Sequence, residues 1–159
     1  MSKVTNIIVA GLGGQGVLKC SDIIADAAFL NGCDVKKAEV HGMSQRGGSV
    51  ACDVRFGDEV LSPMVPLGQA DYLLVLSDGQ TENNIHNLKK GGVLITADLI
   101  DVEKLENKRS LNVAILGLLS NYLTISEETW LKAIKRQLPE KIHAVNINAF
   151  ELGRKSSRP

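Results

Sequence analysis

Short apolar runs alternate along the chain with segments of helical periodicity. The first run, residues 6–10, is rich in β-branched residues and bounded by glycine, which is typical of a buried strand. Apolar residues then recur at helical spacing over residues 17–31, and Gly32 stands where a helix would stop. Residues 34–40 resemble a second strand. This strand, turn, helix and strand order predicts a βαβ unit and therefore a parallel sheet.

Residues 49–56 follow a different pattern, because apolar and polar positions alternate with a period of two. Val50, Cys52, Val54 and Phe56 share one side, which predicts a half-buried strand. Gly-Asp at residues 57–58 separates this strand from the "EVLS" that follows, and this dipeptide is typical of a hairpin turn. We therefore expect one antiparallel hairpin joined to the parallel sheet.

The remaining pattern completes an α/β domain. It predicts a strand at 71–77, a short helix at 81–90 that ends at a glycine pair, and a strand at 93–98. Three helices follow: one around Leu111, one capped by Thr124 or Ser126 and ended by Pro139, and one over 143–153. We predict a doubly wound, mainly parallel Rossmann-like sheet with helices on both faces and one antiparallel hairpin. A single domain should cover residues 1–159, with a core at about 6–153 and a frayed tail at 154–159.

Composition narrows the classes of function. Lysines and arginines number 18, as do aspartates and glutamates, so the formal charge is zero and phosphate neutralisation along nucleic acid is disfavoured. No apolar run reaches the roughly 18 residues of a membrane span, and the amino terminus lacks a signal-peptide layout, which predicts a cytoplasmic protein. Cys20, Cys33 and Cys52 form no CxxC pair, so we expect reduced, buried thiols and no metal or iron–sulfur site held by this chain alone.

The first candidate site is the "GLGGQG" that follows the first strand. Its glycines match GxGxxG between a strand and a helix, where backbone N–H groups can approach a phosphate. The polar Gln15 lies inside this loop. A dinucleotide site also needs an acid at the end of the second strand, about 20 residues further on. Asp34 opens that strand and Glu39 lies beyond the usual spacing, so NAD, another phosphate or partner group, and simple tight packing all stay open. The candidate residues here are Gly11, Gly13, Gly14, Gln15 and Gly16.

The second candidate site is the loop "HGMSQRGGSV", which follows the second predicted strand. It should lie at the carboxyl edge of the sheet beside the first loop, where ligands bind in open α/β sheets. Arg46 offers a planar charged fork for phosphate or carboxylate, and the glycines allow close approach. A solvated loop whose arginine pairs with a local carboxylate is the alternative. The chain has no GxSxG elbow, so a catalytic triad is not indicated, and we assign no catalytic residue. The candidate residues here are His41, Gly42, Ser44, Gln45, Arg46, Gly47 and Gly48.

Four motifs in order resemble the gamma-type subunit or domain of 2-oxoacid:ferredoxin oxidoreductases. They are "GLGGQG", "EVHGMSQRGGSV", "NVAILG" and "NINAFELG", and the resemblance spans about residues 6–153. The second loop is most similar to the beta subunit of indolepyruvate ferredoxin oxidoreductases within that family.

The resemblance implies a function in a larger assembly. Such complexes convert a 2-oxoacid, coenzyme A and oxidised ferredoxin into acyl-CoA, carbon dioxide and reduced ferredoxin. It implies that thiamine diphosphate, Mg and iron–sulfur clusters belong to partner subunits, and that this chain caps the thiamine site and helps to bind coenzyme A. The expected partners are those subunits and, through the complex, ferredoxin, with no nucleic acid and no membrane. A nicotinamide- or nucleotide-binding Rossmann domain is the alternative function.

Overall fold

The computed structural model describes residues 3–41 and 48–156. Within them, five strands form one sheet with the order β2-β3-β1-β4-β5. The strands are β1 (Val4–Leu12), β2 (Asp34–His41), β3 (Ser49–Gly57), β4 (Ala70–Val75) and β5 (Leu88–Thr96). The helices are α1 (Val17–Leu30), α2 (Thr81–Asn84), α3 (Leu111–Ser120), α4 (Glu127–Gln137) and α5 (His143–Lys155).

The sheet is mixed, and β3 is its one reversed strand. This strand pairs antiparallel with both β1 and β2, whereas β4 is parallel to β1 and β5 is parallel to β4. Four of the five strands therefore run in one direction, which confirms the mainly parallel α/β fold class. The β1–α1–β2 unit is present but split, because β3 lies between its two strands.

The antiparallel hairpin lies elsewhere than the sequence pattern predicts. The pair β2 and β3 forms it, with Asp34 opposite Gly57 and His41 opposite Val50. The prediction of a hairpin turn at Gly57-Asp58 is wrong, since no strand follows in residues 58–69. That segment is instead held across the sheet by side chains of the strands, as shown by the hydrogen bond from Val60 N to Asp34 Oδ2 at 2.8 Å.

The two faces of the sheet are covered unequally. Residues of α1, α3, α4 and α5 share one core cluster with the strand side chains of one face, which are Ile7, Val9, Leu74 and Ile95 among others. The opposite face buries Ile8, Ala10, Leu73 and Val75, and Val65 of the 58–69 segment packs against them. No residue of those four helices belongs to this second cluster. The expected helix layer on both faces is therefore a helix layer on one face and mainly an irregular segment on the other.

Helices α3 and α5 cross with their backbones close together. A Cβ atom added at Gly117 would meet the Phe150 carbonyl oxygen, and one added at Gly153 would meet the Ala114 carbonyl oxygen. Because neither position has room for a methyl group, the two glycines allow the helices to cross closely. This crossing explains the terminal glycines of the "NVAILG" and "NINAFELG" motifs.

The structure has one helix cap where the sequence predicts it and moves two predicted helix ends. Helix α4 begins after Ser126, whose Oγ accepts a hydrogen bond from Thr129 N at 3.1 Å, as expected of a cap. The predicted helix at 81–90 is wrong beyond Asn87, because α2 continues only as a 3₁₀ turn over Ile85–Asn87 and the chain then enters β5 at Leu88 and runs through the glycine pair. The register shift between Ala70 and Tyr72 of β4 accommodates the extra residues. Helix α5 continues to Lys155, past the predicted end.

Candidate functional site

The first glycine loop forms a tight turn between β1 and α1. Strand β1 continues to Leu12, so Gly11 lies in the strand and the turn covers the residues after it. Gly14 and Gly16 have φ values of +88° and +81°, a left-handed conformation that favours glycine. Gln15 Oε1 accepts a hydrogen bond from Leu12 N at 2.7 Å, so this side chain stabilises its own loop.

Asn112 anchors the loop to the start of α3. Its Nδ2 donates a hydrogen bond to the Gly16 carbonyl oxygen at 3.2 Å, and a Cβ atom at Gly16 would lie 2.5 Å from the same nitrogen. Cys20 Sγ lies 3.7 Å from the Asn112 carbonyl oxygen. Asn112 is almost fully buried, with 7% of its surface exposed. Sequence reasoning noted this asparagine only as part of a family motif, and the structure gives it the role of fixing the loop.

The two glycine loops meet at one edge of the sheet. Gly13 N donates a hydrogen bond to the Gly48 carbonyl oxygen at 2.9 Å, and Leu12 is paired with Ser49 in the adjacent strands. The backbone of His41 ends β2 at the same edge. The other predicted residues of the second loop, and the His41 side chain, lie outside the described residues; they are Gly42, Ser44, Gln45, Arg46 and Gly47.

A pocket of about 360 Å³ opens between the first glycine loop and the start of α3. Its lining residues are Gly14, Gln15, Gly16, Leu76, Lys108, Arg109, Leu111 and Asn112. Lys108 and Arg109 give one wall two cationic side chains. Lys108 Nζ lies 3.7 Å from Glu103 Oε1, and both side chains are largely exposed. Sequence reasoning missed these two cations; the available signal was a Lys-Arg pair directly before a predicted helix.

One helix amino terminus at this pocket lacks a side-chain cap. Helix α3 continues a 3₁₀ turn over Lys108–Ser110, where Asn107 Oδ1 accepts a hydrogen bond from Arg109 N at 2.9 Å. Helix α1 has no side-chain hydrogen bond at its N-cap residue and no acidic residue in its first turn. By contrast, α4 is capped by Ser126 and carries Glu127 and Glu128 in its first turn. Uncapped N–H groups and the positive end of the helix dipole favour an anionic ligand. The pocket therefore combines one such terminus, that of α1, with two cationic side chains.

The dinucleotide fingerprint is not supported by the strand order. In that fingerprint the acid that holds the ribose ends the strand next to β1, whereas here β3 separates β2 from β1. Asp34 begins β2 and its Oδ2 accepts a hydrogen bond from Val60 N. Glu39 Oε1 lies 3.7 Å from Lys37 Nζ. Both acids therefore contact groups outside the glycine loop.

The cysteines are free thiols in different surroundings. Cys20 and Cys52 are fully buried, as expected, whereas Cys33 is only half-buried, which corrects the expectation of three buried thiols. Burial raises the pKa of Cys20 far above its ordinary value and also raises that of Cys52, so both stay protonated at neutral pH.

Across residues 3–41 and 48–156, no group of three or more histidine, cysteine, aspartate or glutamate side chains could hold a metal ion. In the same part of the chain, no helix combines the length and apolar character needed to cross a bilayer.

Comparison with known proteins identifies the family. A family model described as "Pyruvate ferredoxin/flavodoxin oxidoreductase" matches residues 6–156. The chain is 34% identical to "Indolepyruvate oxidoreductase subunit IorB" of Thermococcus kodakarensis, over 98% of this chain and 97% of the relative. It is 28% identical to "Ketoisovalerate oxidoreductase subunit VorA" of Methanothermobacter marburgensis, over 91% of this chain but only 35% of that longer relative.

A solved structure agrees with these sequence matches. The gamma subunit of a keto/oxoacid ferredoxin oxidoreductase from Geobacter sulfurreducens superimposes with a TM-score of 0.78 and 27% identity, covering 94% of this chain and 95% of that one. The chain therefore belongs to the pyruvate ferredoxin/flavodoxin oxidoreductase family. Within that family it is a gamma-type subunit of a 2-oxoacid:ferredoxin oxidoreductase, and hence part of an enzyme complex.

Proposed function

We propose that this chain is the gamma-type subunit of an indolepyruvate or arylpyruvate ferredoxin oxidoreductase and has no activity alone. The observation that carries the proposal is the 34% identity, along nearly the whole of both chains, to a subunit named for indolepyruvate. The complex would convert the 2-oxoacid, coenzyme A and oxidised ferredoxin into acyl-CoA, carbon dioxide and reduced ferredoxin in the cytoplasm. Residues 1–159 would act as one domain.

We further propose that the edge formed by the glycine loops faces the reaction centre of the partner subunit. The family uses thiamine diphosphate, coenzyme A and iron–sulfur clusters. Thiamine diphosphate supplies the electron sink for decarboxylation, and this cofactor would be held by the partner. The chain would cover the centre and exclude water through its two hydrogen-bonded loops.

Coenzyme A is the ligand whose chemistry fits the pocket of this chain. It carries several phosphate charges, and the pocket presents two cations, Lys108 and Arg109, beside the uncapped amino terminus of α1. Phosphate groups are bound by this combination of charge and backbone N–H groups in many proteins. The predicted glycine-loop residues would approach the same ligand from the other wall, with Arg46 as a further candidate cation.

Steady-state kinetics of the reconstituted complex test this assignment. The chain is co-expressed with its thiamine- and cluster-bearing subunit, and ferredoxin reduction is followed with indolepyruvate while coenzyme A is varied. Replacing Lys108 and Arg109 together by alanine should raise KM for coenzyme A about 10-fold or more, since each phosphate contact contributes a charge-assisted hydrogen bond. Lys104→Ala is the matched control, because Lys104 is an exposed lysine of the same segment that lies 3.9 Å from Asp101 and outside the pocket.

Two outcomes would contradict the proposal at different levels. A KM for coenzyme A that is unchanged in the double variant would remove this pocket from the coenzyme A site but leave the subunit assignment. Tight, micromolar NADH binding by the isolated chain in a fluorescence titration would instead favour the nicotinamide-binding alternative.

A further inference from the structure

A second cavity, of about 230 Å³, adjoins the pocket that Lys108 and Arg109 line beside the first glycine loop. Arg109 and Asn112 belong to the lining of both, so the two spaces lie on either side of the start of α3. We call the first the glycine-loop pocket and the second the α3–α5 cavity, since its lining comes from the amino-terminal ends of those two helices and the turns before them. Its apolar lining residues are Val113, Leu138, Ile142 and Val145.

Two almost fully buried asparagines line the α3–α5 cavity. Asn112 has 7% of its surface exposed and Asn146 has 6%. The Nδ2 group of each donates to a backbone carbonyl oxygen, that of Gly16 at 3.2 Å and that of Ile142 at 2.9 Å. The remaining polar side-chain atom of each asparagine is therefore Oδ1.

The two Oδ1 atoms are acceptors that a ligand in the cavity could reach. Within residues 3–41 and 48–156, neither of them accepts a hydrogen bond. In the same part of the chain, Trp130 Nε1 is the one completely enclosed side-chain polar atom without a partner, so both Oδ1 atoms have some accessible surface. Because buried acceptors are normally satisfied, this pair suits a ligand that donates hydrogen bonds.

Hydrogen bonds hold the walls of the cavity in place. The bond from Asn146 to Ile142 ties α5 to the 3₁₀ turn before it, and His143 Nε2 lies 2.7 Å from the Leu138 carbonyl oxygen. On the opposite wall, the bond from Asn112 fixes the start of α3 against the glycine loop. The cavity is therefore preformed, which lowers the entropic cost of binding a ligand.

A flat ring that carries an amino group is the chemistry that this lining fits. Apolar side chains can cover the faces of the ring, while the asparagine oxygens accept hydrogen bonds from its amino group, as asparagine does from adenine. The cavity is smaller than the roughly 300 Å³ or more that a drug-sized ligand occupies, so it suits one ring system and leaves the rest of a larger ligand outside. Lys108 and Arg109 offer phosphate contacts immediately beside it.

We infer that the α3–α5 cavity binds the adenine ring of coenzyme A. The inference rests on the proposed function, which places the phosphates of coenzyme A in the glycine-loop pocket. Arg109 lines both spaces and would lie where the adenosine joins those phosphates. Adenine binding also gives a role to the asparagines with which the "NVAILG" and "NINAFELG" motifs begin, whereas the crossing of α3 and α5 explains only the glycines with which they end.

Steady-state kinetics of the reconstituted complex with varied coenzyme A test the inference. The test variant is Val145→Trp, which fills the cavity from a half-buried position of α5. Ile147→Trp is the matched control, because Ile147 is also a half-buried aliphatic residue of α5 but lies outside the lining of the cavity. Circular dichroism melting curves establish that both chains are folded.

We expect Val145→Trp to raise KM for coenzyme A about 10-fold or more and to change kcat by less than about 2-fold, because the ring contributes binding and takes no part in the chemistry. Ile147→Trp should leave both parameters within about 2-fold of the wild type. An unchanged KM in Val145→Trp, or an equal rise in the control, would overturn the inference.

An analogue of coenzyme A with hypoxanthine in place of adenine tests the hydrogen bonds without any substitution in the protein. It has a carbonyl oxygen where adenine has its amino group, so the wild-type KM should be about 10-fold higher for the analogue than for coenzyme A. In Val145→Trp the two values should differ by less than about 2-fold, since neither ring enters the cavity. Equal KM values in the wild type would contradict recognition of adenine.

ADP distinguishes the adenine of coenzyme A from that of a separate nucleotide. We expect ADP to inhibit the wild type competitively against coenzyme A and to inhibit Val145→Trp more weakly. Non-competitive inhibition that Val145→Trp abolishes would assign the cavity to a free nucleotide and overturn the inference. If the paired alanine replacement of Lys108 and Arg109 raises KM for coenzyme A but Val145→Trp does not, the inference alone fails. If neither changes KM, the proposed coenzyme A site fails and the inference falls with it.

Discussion

Gly13 and Gly48 are joined by a hydrogen bond of 2.9 Å from the amide of the first to the carbonyl oxygen of the second. The first residue belongs to the turn after β1 and the second immediately precedes β3. Since β3 runs antiparallel beside β1, with Ser49 opposite Leu12, the end of the second glycine loop must lie against the first loop. Convergence of the two loops at one edge is therefore a consequence of the β2–β3 hairpin.

Gly16 and Gly14 differ in how much space surrounds them. Both are left-handed, but an added Cβ atom meets Asn112 at Gly16 and nothing within 4 Å at Gly14. We expect Gly14→Ala to lower the free energy of unfolding by about 1–2 kcal/mol through backbone strain alone. Gly16→Ala should cost about 1–3 kcal/mol more, because Asn112 must move. Urea denaturation of both variants measures the difference, and equal losses would contradict this description of the loop.

The close crossing of α3 and α5 predicts a severe effect of a single methyl group. Gly153→Ala would press its Cβ against the Ala114 carbonyl oxygen, which is backbone and cannot rotate away. We expect it to reduce the free energy of unfolding by about 3 kcal/mol. Gly79→Ala is the control, since Gly79 has open space around its Cβ position and should change stability by under about 0.5 kcal/mol. A thermal melt of Gly153→Ala that matches the wild type would show that the helices can separate at no cost.

The hydrogen bond between Asp34 and the 58–69 segment makes the free energy of unfolding depend on pH. The hydrogen bond from Val60 N, and next the one from Lys36, hold the pKa of the Asp34 carboxyl below its ordinary value. Because the pKa of Asp34 is lower in the folded protein than in the unfolded chain, its charged form stabilises the fold. This stabilisation is complete above the unfolded pKa of about 4 and is lost as pH falls through the folded pKa. Asp34→Asn should therefore flatten the decline of unfolding free energy between about pH 5 and pH 2. Parallel curves for variant and wild type would contradict the assignment.

Asp53 has the opposite pH behaviour on the same face. Burial raises its pKa, although the hydrogen bond from Val65 N opposes the shift. Because the folded state binds the proton more readily than the unfolded chain, protonation of Asp53 adds stability as pH falls through the raised folded value. NMR titration of the two carboxyl carbons should give a higher pKa for Asp53 than for Asp34. A reversed order would contradict the burial of the Asp53 carboxyl as the dominant influence on its pKa.

The sequence pattern predicted which segments form strands better than it predicted which strands pair with each other. Alternation in β3 correctly placed Val50, Cys52, Val54 and Phe56 on the buried side, because side-chain period follows directly from strand geometry. It could not show that β3 inserts between β1 and β2, since alternation determines faces and leaves pairing open. The Gly-Asp pair at residues 57–58 is a local signal that tertiary contacts from Asp34 overrode.

Only part of the site could be predicted from the sequence, because its residues come from distant segments of the chain. The glycine loop could be found because its residues are consecutive. Asn112, Lys108 and Arg109 reach the same pocket from more than ninety residues further along the chain, and only the packing of α3 against α1 brings them there. Family motifs included the asparagine without giving it a role.

Reconstitution with the partner subunit tests the central claim most directly. The isolated chain, the partner alone and the two combined are assayed for coenzyme A-dependent ferredoxin reduction with indolepyruvate, pyruvate, 2-oxoglutarate and a branched-chain oxoacid. We predict no turnover by the isolated chain, restored turnover by the combination, and the highest kcat/KM with indolepyruvate. Turnover by the isolated chain, or full activity of the partner without it, would contradict the account.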